Sequence, residues 1–254
     1  VYPELLGGVA LNAVVLGGGR DDPFAQAFGV PVKSLIPIQG APMAAYVLRA
    51  LRDSGRVGRI VYVGPTSPAL EGLFDLNVQD RGTMLENLEL GLAALPASER
   101  VLVATADVPL LTAESVRDLL MRDPGAGLVY PIIPMTISEA RFPGGKRTAA
   151  RAREGRFTGG NLFLLEPRLV TQFMPRLKQA IRHRKNPLAL AWLIGLPVLV
   201  KFLLGSLTLR ELEERVSRIL GVDARLLITD HAEIGFDVDK SDDLEVAVRA
   251  LKGA

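Results

Sequence analysis

Apolar runs of strand length alternate with helical periods along most of this chain. Val9 to Leu16 predicts a first buried strand, and Pro42 to Arg52 a helix. Arg59 to Val63 predicts a second strand, stopped by Gly64-Pro65. From Thr83 to Leu95 the period changes, and Leu85, Leu88, Leu92 and Leu95 fall on one helical face. Arg100 to Ala104 predicts a strand, and Thr112 to Met121 a helix that Thr112 can cap. Two more strands follow, Gly127 to Ile133 and Phe157 to Leu165, the latter interrupted by Gly159-Gly160. Such alternation indicates an α/β fold with a largely parallel sheet and helices on both faces. Ligands of these sheets bind at the carboxyl ends of the strands. The glycines after Leu16, the residues after Ala104 and the Gly159 region are all expected there.

Residues 172–221 break the pattern and predict a helical insertion in a single domain spanning 1–254. Leu188 to Leu209 is almost wholly apolar, but Gly195, Pro197, Lys201 and Gly205 fragment it. A membrane-spanning helix is therefore the weaker alternative. Residues 175–210 are expected to form helices, kinked or divided at Pro197, whose apolar face is covered by the main domain, a homodimer partner or a membrane-associated acceptor. Arg182, Arg184 and Lys185 beside this run allow peripheral contact with an anionic membrane or a lipid-linked substrate. Glu211 to Leu220 predicts an ordinary amphipathic helix.

Composition narrows the chemistry. The 254 residues hold no Cys, which excludes disulfides and thiolate metal or redox sites. Only His183 and His231 are available for imidazole chemistry. The absence of Cys fits a cytoplasmic location, which is the expected one, and no signal peptide is visible in the given sequence. Residues 141–185 carry twelve Lys/Arg against two Glu, a net of +10, which leaves −8 for the remainder. That asymmetry points to an anionic partner. Nucleic acid is disfavoured, because aromatics are 6% of the chain and none interleave with the basic segment as a stacking motif.

The densest chemistry lies at the end of the first strand. Leu16 leads into Gly17, Gly18, Gly19 and Arg20, with Lys33 thirteen residues on. Glycines there let backbone N–H groups approach phosphate, and the two cations can neutralise it. Neither GxxxxGK[ST] nor GxGxxG is present. Asp107 ends another apolar strand in VLVATADVPLL, which places a carboxylate at the same sheet edge.

These residues resemble the signature of the MobA-like NTP transferases. Leu16-Gly17-Gly18-Gly19-Arg20, Lys33 and Gly40-Ala41-Pro42-Met43 match the family's loop, while Asp21, Asp22 and Pro23 stand where it carries Arg-Met-Gly. Asp107-Val108-Pro109-Leu110 matches its metal-binding D-x-P-[LF]. GFDVDKSDDLEVA is similar to the family's closing phrase; it makes Asp239 the second metal ligand, with Asp237 in reserve and Asp242 and Asp243 as caps of the last helix.

The resemblance implies a three-layer Rossmann-like fold of the nucleotide-diphospho-sugar transferase type. It also implies Mg²⁺-dependent transfer of a nucleotidyl group from an NTP to a phosphorylated small-molecule acceptor. Arg20 and Lys33 would be catalytic. Leu16, Gly17, Gly18, Gly19, Gly82, Thr83 and Asn87 would hold the nucleotide, and Asp107 and Asp239 the metal. Thr158, Gly160 and Asn161 would face the acceptor, and Arg147 would clamp its phosphate. Two readings compete. One is a nucleotide-binding or regulatory protein that has lost catalysis, motivated by Asp21-Asp22-Pro23. The other is a nucleotide-sugar glycosyltransferase using Asp237-Val238-Asp239.

Overall fold

The computed structural model describes residues 10–19, 22–172 and 196–253. The chain opens with β1 (Leu11–Leu16), the short helix α1 (Pro23–Gln26), the two-residue strands β2 (Pro37–Ile38) and β3 (Ala41–Pro42), and α2 (Met43–Asp53). Next come β4 (Val57–Val63), β5 (Leu76–Val78), α3 (Met84–Ala93), β6 (Val101–Thr105) and α4 (Ala113–Met121). A second half runs β7 (Leu128–Pro134), α5 (Met135–Arg141), β8 (Ala150–Ala152), β9 (Gly155–Gly159) and β10 (Leu162–Leu165). The chain closes with α6 (Leu196–Leu203), α7 (Leu209–Leu220), β11 (Ala224–Ile228) and α8 (Ser241–Lys252).

Among the described residues one sheet carries nine strands in the order β5-β4-β1-β6-β10-β7-β9-β8, and β11 lies along the other edge of β7. The pairs β1–β4, β1–β6, β4–β5 and β7–β11 are parallel. Strands β8, β9 and β10 run against their neighbours, so the sheet is mixed and mostly parallel, with helices on both sides. The apolar runs of β1, β4 and β6 bury both faces, as parallel strands sandwiched by helices must. Val15, Leu48, Leu51 and Tyr62 anchor the layer under α2 and α4. Val14, Val61, Leu88 and Val103 anchor the layer under α3. Thr112 caps α4 by accepting from the Ser115 N–H at 3.1 Å, while Ser115 accepts from the Thr112 N–H, a closed capping box.

Phe157 to Leu165 is two strands, which corrects the single interrupted one that the pattern suggests. The chain pairs with the end of β7 as β9, crosses at Gly160 and Asn161, and wedges between β6 and β7 as β10. A Cβ at Gly160 would crowd Ile234 and Pro131, so this crossing needs a glycine. In the expected insertion, residues 173–195, with Arg182, Arg184 and Lys185, lie outside the described residues. Pro197 falls in the first turn of α6, where a missing N–H costs nothing. At the end of this segment Val200, Phe202, Leu203 and Leu204 are 42–73% exposed. No helix among the described residues is long and apolar enough to cross a membrane.

Candidate active site

The carboxyl ends of β1 and β6 lie side by side, and backbone hydrogen bonds lace the loops that follow them. Ala106 N–H donates to Leu16 at 3.0 Å, Thr105 N–H to Asn161 at 3.0 Å, and Asn161 N–H to Ile234 at 2.8 Å. Val238 N–H donates to Asp107 at 2.9 Å, which brings the C-terminal stretch against the end of β6. In that stretch the residues alternate. Phe236 and Val238 are fully buried, so Asp237 and Asp239 project the other way, toward the site.

Lys33 stands between the two expected metal ligands. Its ammonium donates to Asp107 Oδ2 at 3.1 Å and to Asp239 Oδ1 at 2.5 Å. Asp107, Asp237 and Asp239 each offer a carboxylate oxygen, and these oxygens lie within 4.8 Å of one another. Burial alone would depress the Lys33 pKa, but Asp107 and Asp239 outweigh it and hold the ammonium above its ordinary value. Burial likewise works against the Asp239 carboxylate, and Lys33 overrides it and pulls the pKa down. Asp237 goes the other way: burial raises it, and the neighbouring Asp107 and Asp239 charges add to the rise. Asp107 Oδ1 is buried with no hydrogen-bond partner among the described residues.

Arg147 differs from the open phosphate clamp expected of it. Its side chain is 5% exposed and pairs with Asp237 and, at 2.5 Å, with Asp243. The guanidinium also lies 4.4 Å from the Phe236 ring centroid. Asp243 in turn accepts the Asp239 N–H at 3.3 Å. It therefore braces the acidic stretch from the first turn of α8. The N-cap of that helix is Lys240, which makes no side-chain capping bond, so neither Asp242 nor Asp243 is the cap.

The glycine loop is packed more tightly than a bare phosphate cradle. Gly17 and Gly18 N–H groups donate to the Val63 carbonyl at 2.9 and 2.8 Å. Gly19 N–H donates to Asp80 Oδ2 at 3.1 Å. A Cβ on Gly17 would collide with Tyr62, and one on Gly18 with Asp80, whereas Gly19 faces open space. Beneath the loop Ser34 Oγ donates to the Gly17 carbonyl at 2.5 Å and meets the Tyr62 hydroxyl at 3.2 Å. Burial pushes that phenol up to about 12. Arg20 lies outside the described residues. The departure at Asp22-Pro23 has a local cause. Asp22 caps α1 by accepting the Phe24 N–H, and Pro23 begins that helix.

Leu16 is buried at the strand end. Gly82 adopts φ +82°, and Thr83 caps α3. Asn87 is fully buried and accepts the Arg81 N–H at 2.8 Å, so it holds the loop from beneath. Asp80, which sequence reasoning passed over, is the side chain of that loop that reaches the glycines. Of the residues expected to face the acceptor, Thr158 is buried, Gly160 packs on Ile234, and Asn161 donates its N–H to the Ile234 carbonyl, so they lie against the start of the stretch that carries Asp237 and Asp239.

Comparison with known proteins agrees with this architecture. A family model for the MobA-like NTP transferase domain matches residues 13–193. The chain belongs to that family, whose members are nucleotidyltransferases. It is 33% identical over 156 residues to the bifunctional protein GlmU of Acidithiobacillus ferrooxidans, which covers 58% of this chain and 32% of that protein. GlmU of Pseudomonas syringae is 30% identical over 121 residues, 45% of this chain and 26% of that protein. The chain thus spans about a third or less of the length of these curated relatives. A hypothetical transferase structure from Thermus thermophilus is 49% identical, with TM-score 0.85 over 93% of this chain and all of that one. A CMP:2-keto-3-deoxy-manno-octonic acid synthetase complexed with CTP shares the fold, with TM-score 0.60 and 14% identity over 97% of this chain and 99% of its own.

Proposed function

We propose that this chain transfers a nucleotidyl group from an NTP to a phosphorylated small-molecule acceptor and releases pyrophosphate. The observation that carries the reading is Lys33 held between Asp107 and Asp239 at the carboxyl edge of the sheet. The donor set suits Mg²⁺: three carboxylate oxygens within 4.8 Å, one carboxylate presenting a buried oxygen with no partner among the described residues. Asp107 and Asp239 would hold the ion, with Asp237 as the third carboxylate. When bound, Mg²⁺ supplies positive charge to the α-phosphate and to the departing pyrophosphate.

An oxygen of the acceptor phosphate attacks the α-phosphorus, the bond to the bridging oxygen breaks, and its electrons leave with pyrophosphate. The chain's task is alignment and charge neutralisation. Lys33 supplies a cation at the strand ends. Ser34, next in sequence, ties that cation to the glycine loop. Arg147 and Asp243 fix Asp237 and Asp239, so the ligand positions cost no reorganisation. Asp80 borders the space beyond Gly19, where the nucleoside would lie. An NTP substrate accords with a cytoplasmic location.

A second reading keeps the nucleotide and drops the turnover. It is favoured by the Gly17 and Gly18 amides, both of which donate to Val63 rather than stand open. Pyrophosphate release separates the two, assayed with each of the four NTPs and Mg²⁺ against sugar, polyol and lipid phosphates. Release with one NTP and one acceptor class supports transfer. Binding of an NTP, seen as a raised melting temperature, with no release from any pairing supports the second reading.

A further inference from the structure

We propose that the turn between α6 and α7, together with the β8–β9 hairpin, docks on an anionic lipid surface. Val200, Phe202, Leu203 and Leu204 are 44, 42, 72 and 73% exposed. Val200, Leu203 and Leu204 stand at i, i+3 and i+4 and share one face. Phe202 turns toward the hairpin and lines a cavity of about 270 Å³ with Ala150, Arg151, Leu207 and Leu212. The turn is built rather than frayed. Gly205 takes φ +64°, Leu207 is buried and accepts the Arg153 N–H at 2.9 Å, and Thr208 closes a capping box with Glu211.

Beside these apolar side chains lies positive charge with no acidic partner among the described residues. Arg151 and Arg156 are directly opposite each other on β8 and β9, and both are exposed. Like charges so placed repel, and neither has an acidic partner among the described residues. Arg151 packs against Gly205, which puts the cation row alongside the apolar turn. The nearby acids are already engaged: Glu154 accepts the Leu209 N–H, and Glu211 pairs with Lys201.

Apolar side chains bordered by unneutralised arginines complement a phosphate layer over hydrocarbon. Nucleic acid would satisfy the arginines and leave the leucines in water. A second copy would cover the leucines, but the described acids beside them, Glu154 and Glu211, are already engaged.

Vesicle co-sedimentation of the full chain tests this, using phosphatidylcholine with and without phosphatidylglycerol. The protein should pellet only with phosphatidylglycerol vesicles, and less as salt rises. Leu203→Glu/Leu204→Glu and Arg151→Gln/Arg156→Gln should each weaken binding at least about tenfold, with neither variant melting below the wild type. No pelleting with phosphatidylglycerol, equal pelleting with phosphatidylcholine alone, or unchanged binding by both variants would overturn the proposal. So would a wild-type dimer in sedimentation velocity that the Leu203/Leu204 variant converts to monomer, because the face would then belong to a second copy.

Discussion

Two pairs of cationic side chains in this molecule are held in opposite ways. At the carboxyl edge of the sheet, Lys33 and Arg147 are largely buried and each meets two carboxylates. On the β8–β9 hairpin, Arg151 and Arg156 are exposed and have no carboxylate partner among the described residues. Burial explains the first arrangement, since a desolvated cation persists only when paired and hydrogen-bonded. Water pays the same cost at the hairpin, so those arginines stay available to an outside anion. The difference separates charges that build a site from charges that await a partner.

The sharpest way to break this contrast is Arg147→Ala. It leaves Asp237 and the buried Asp243 without their cation, and losing one partner of a buried pair costs about 3–5 kcal/mol. Chemical denaturation should show a loss of that order. A change below about 0.5 kcal/mol, ordinary for a surface residue, would mean that Arg147 is no brace.

Lys33→Ala should act on chemistry more than on stability. Removing one well-placed electrostatic group typically lowers turnover about 10²–10³-fold. Steady-state kinetics with the preferred NTP would read this, and a melting curve near wild type would keep the loss from being one of folding.

A smaller effect concerns acid. Asp239 has a lowered folded pKa, so its stabilising contribution is present above the ordinary carboxylate value and is lost as pH falls through the folded one. Melting temperature of the wild type should therefore drop in that acid window more than that of Asp239→Asn. Lys33 has the opposite sign. Its raised pKa gives a contribution present below the ordinary lysine value and lost only at still higher pH, so it leaves the acid window untouched. Parallel acid profiles for the two proteins would contradict the pairing. Least of all should be Arg151→Gln/Arg156→Gln, whose stability should hold or rise by about 0.2–1 kcal/mol as cross-strand repulsion is relieved.

Much of the framework was legible because it rests on local pattern. β1, β4 and β6 are continuous apolar runs, and Thr112 announces its helix by cap chemistry. Lys33, Asp107 and Asp239 could be named because each follows a recognisable phrase. What stayed hidden depends on distant partners. Arg147 reads as one cation in a basic loop until Asp237 and Asp243, ninety and ninety-six positions later, fold over it. Asp80 lies in a polar loop with no period, and only its contact with Gly19 marks it. Strands β8 and β11 are short and half exposed, so their pattern is faint, and β9 and β10 are divided by a crossing that only the sheet's topology requires.

If Lys33, Asp107 and Asp239 form one site for nucleotidyl transfer, pyrophosphate release in the presence of Mg²⁺ should distinguish wild type from Asp107→Asn, which keeps the side chain's shape and removes its charge. The wild type should release pyrophosphate with one NTP and a phosphorylated acceptor, and the folded variant about 10²–10³-fold less. Equal release by the two proteins would contradict that joint site.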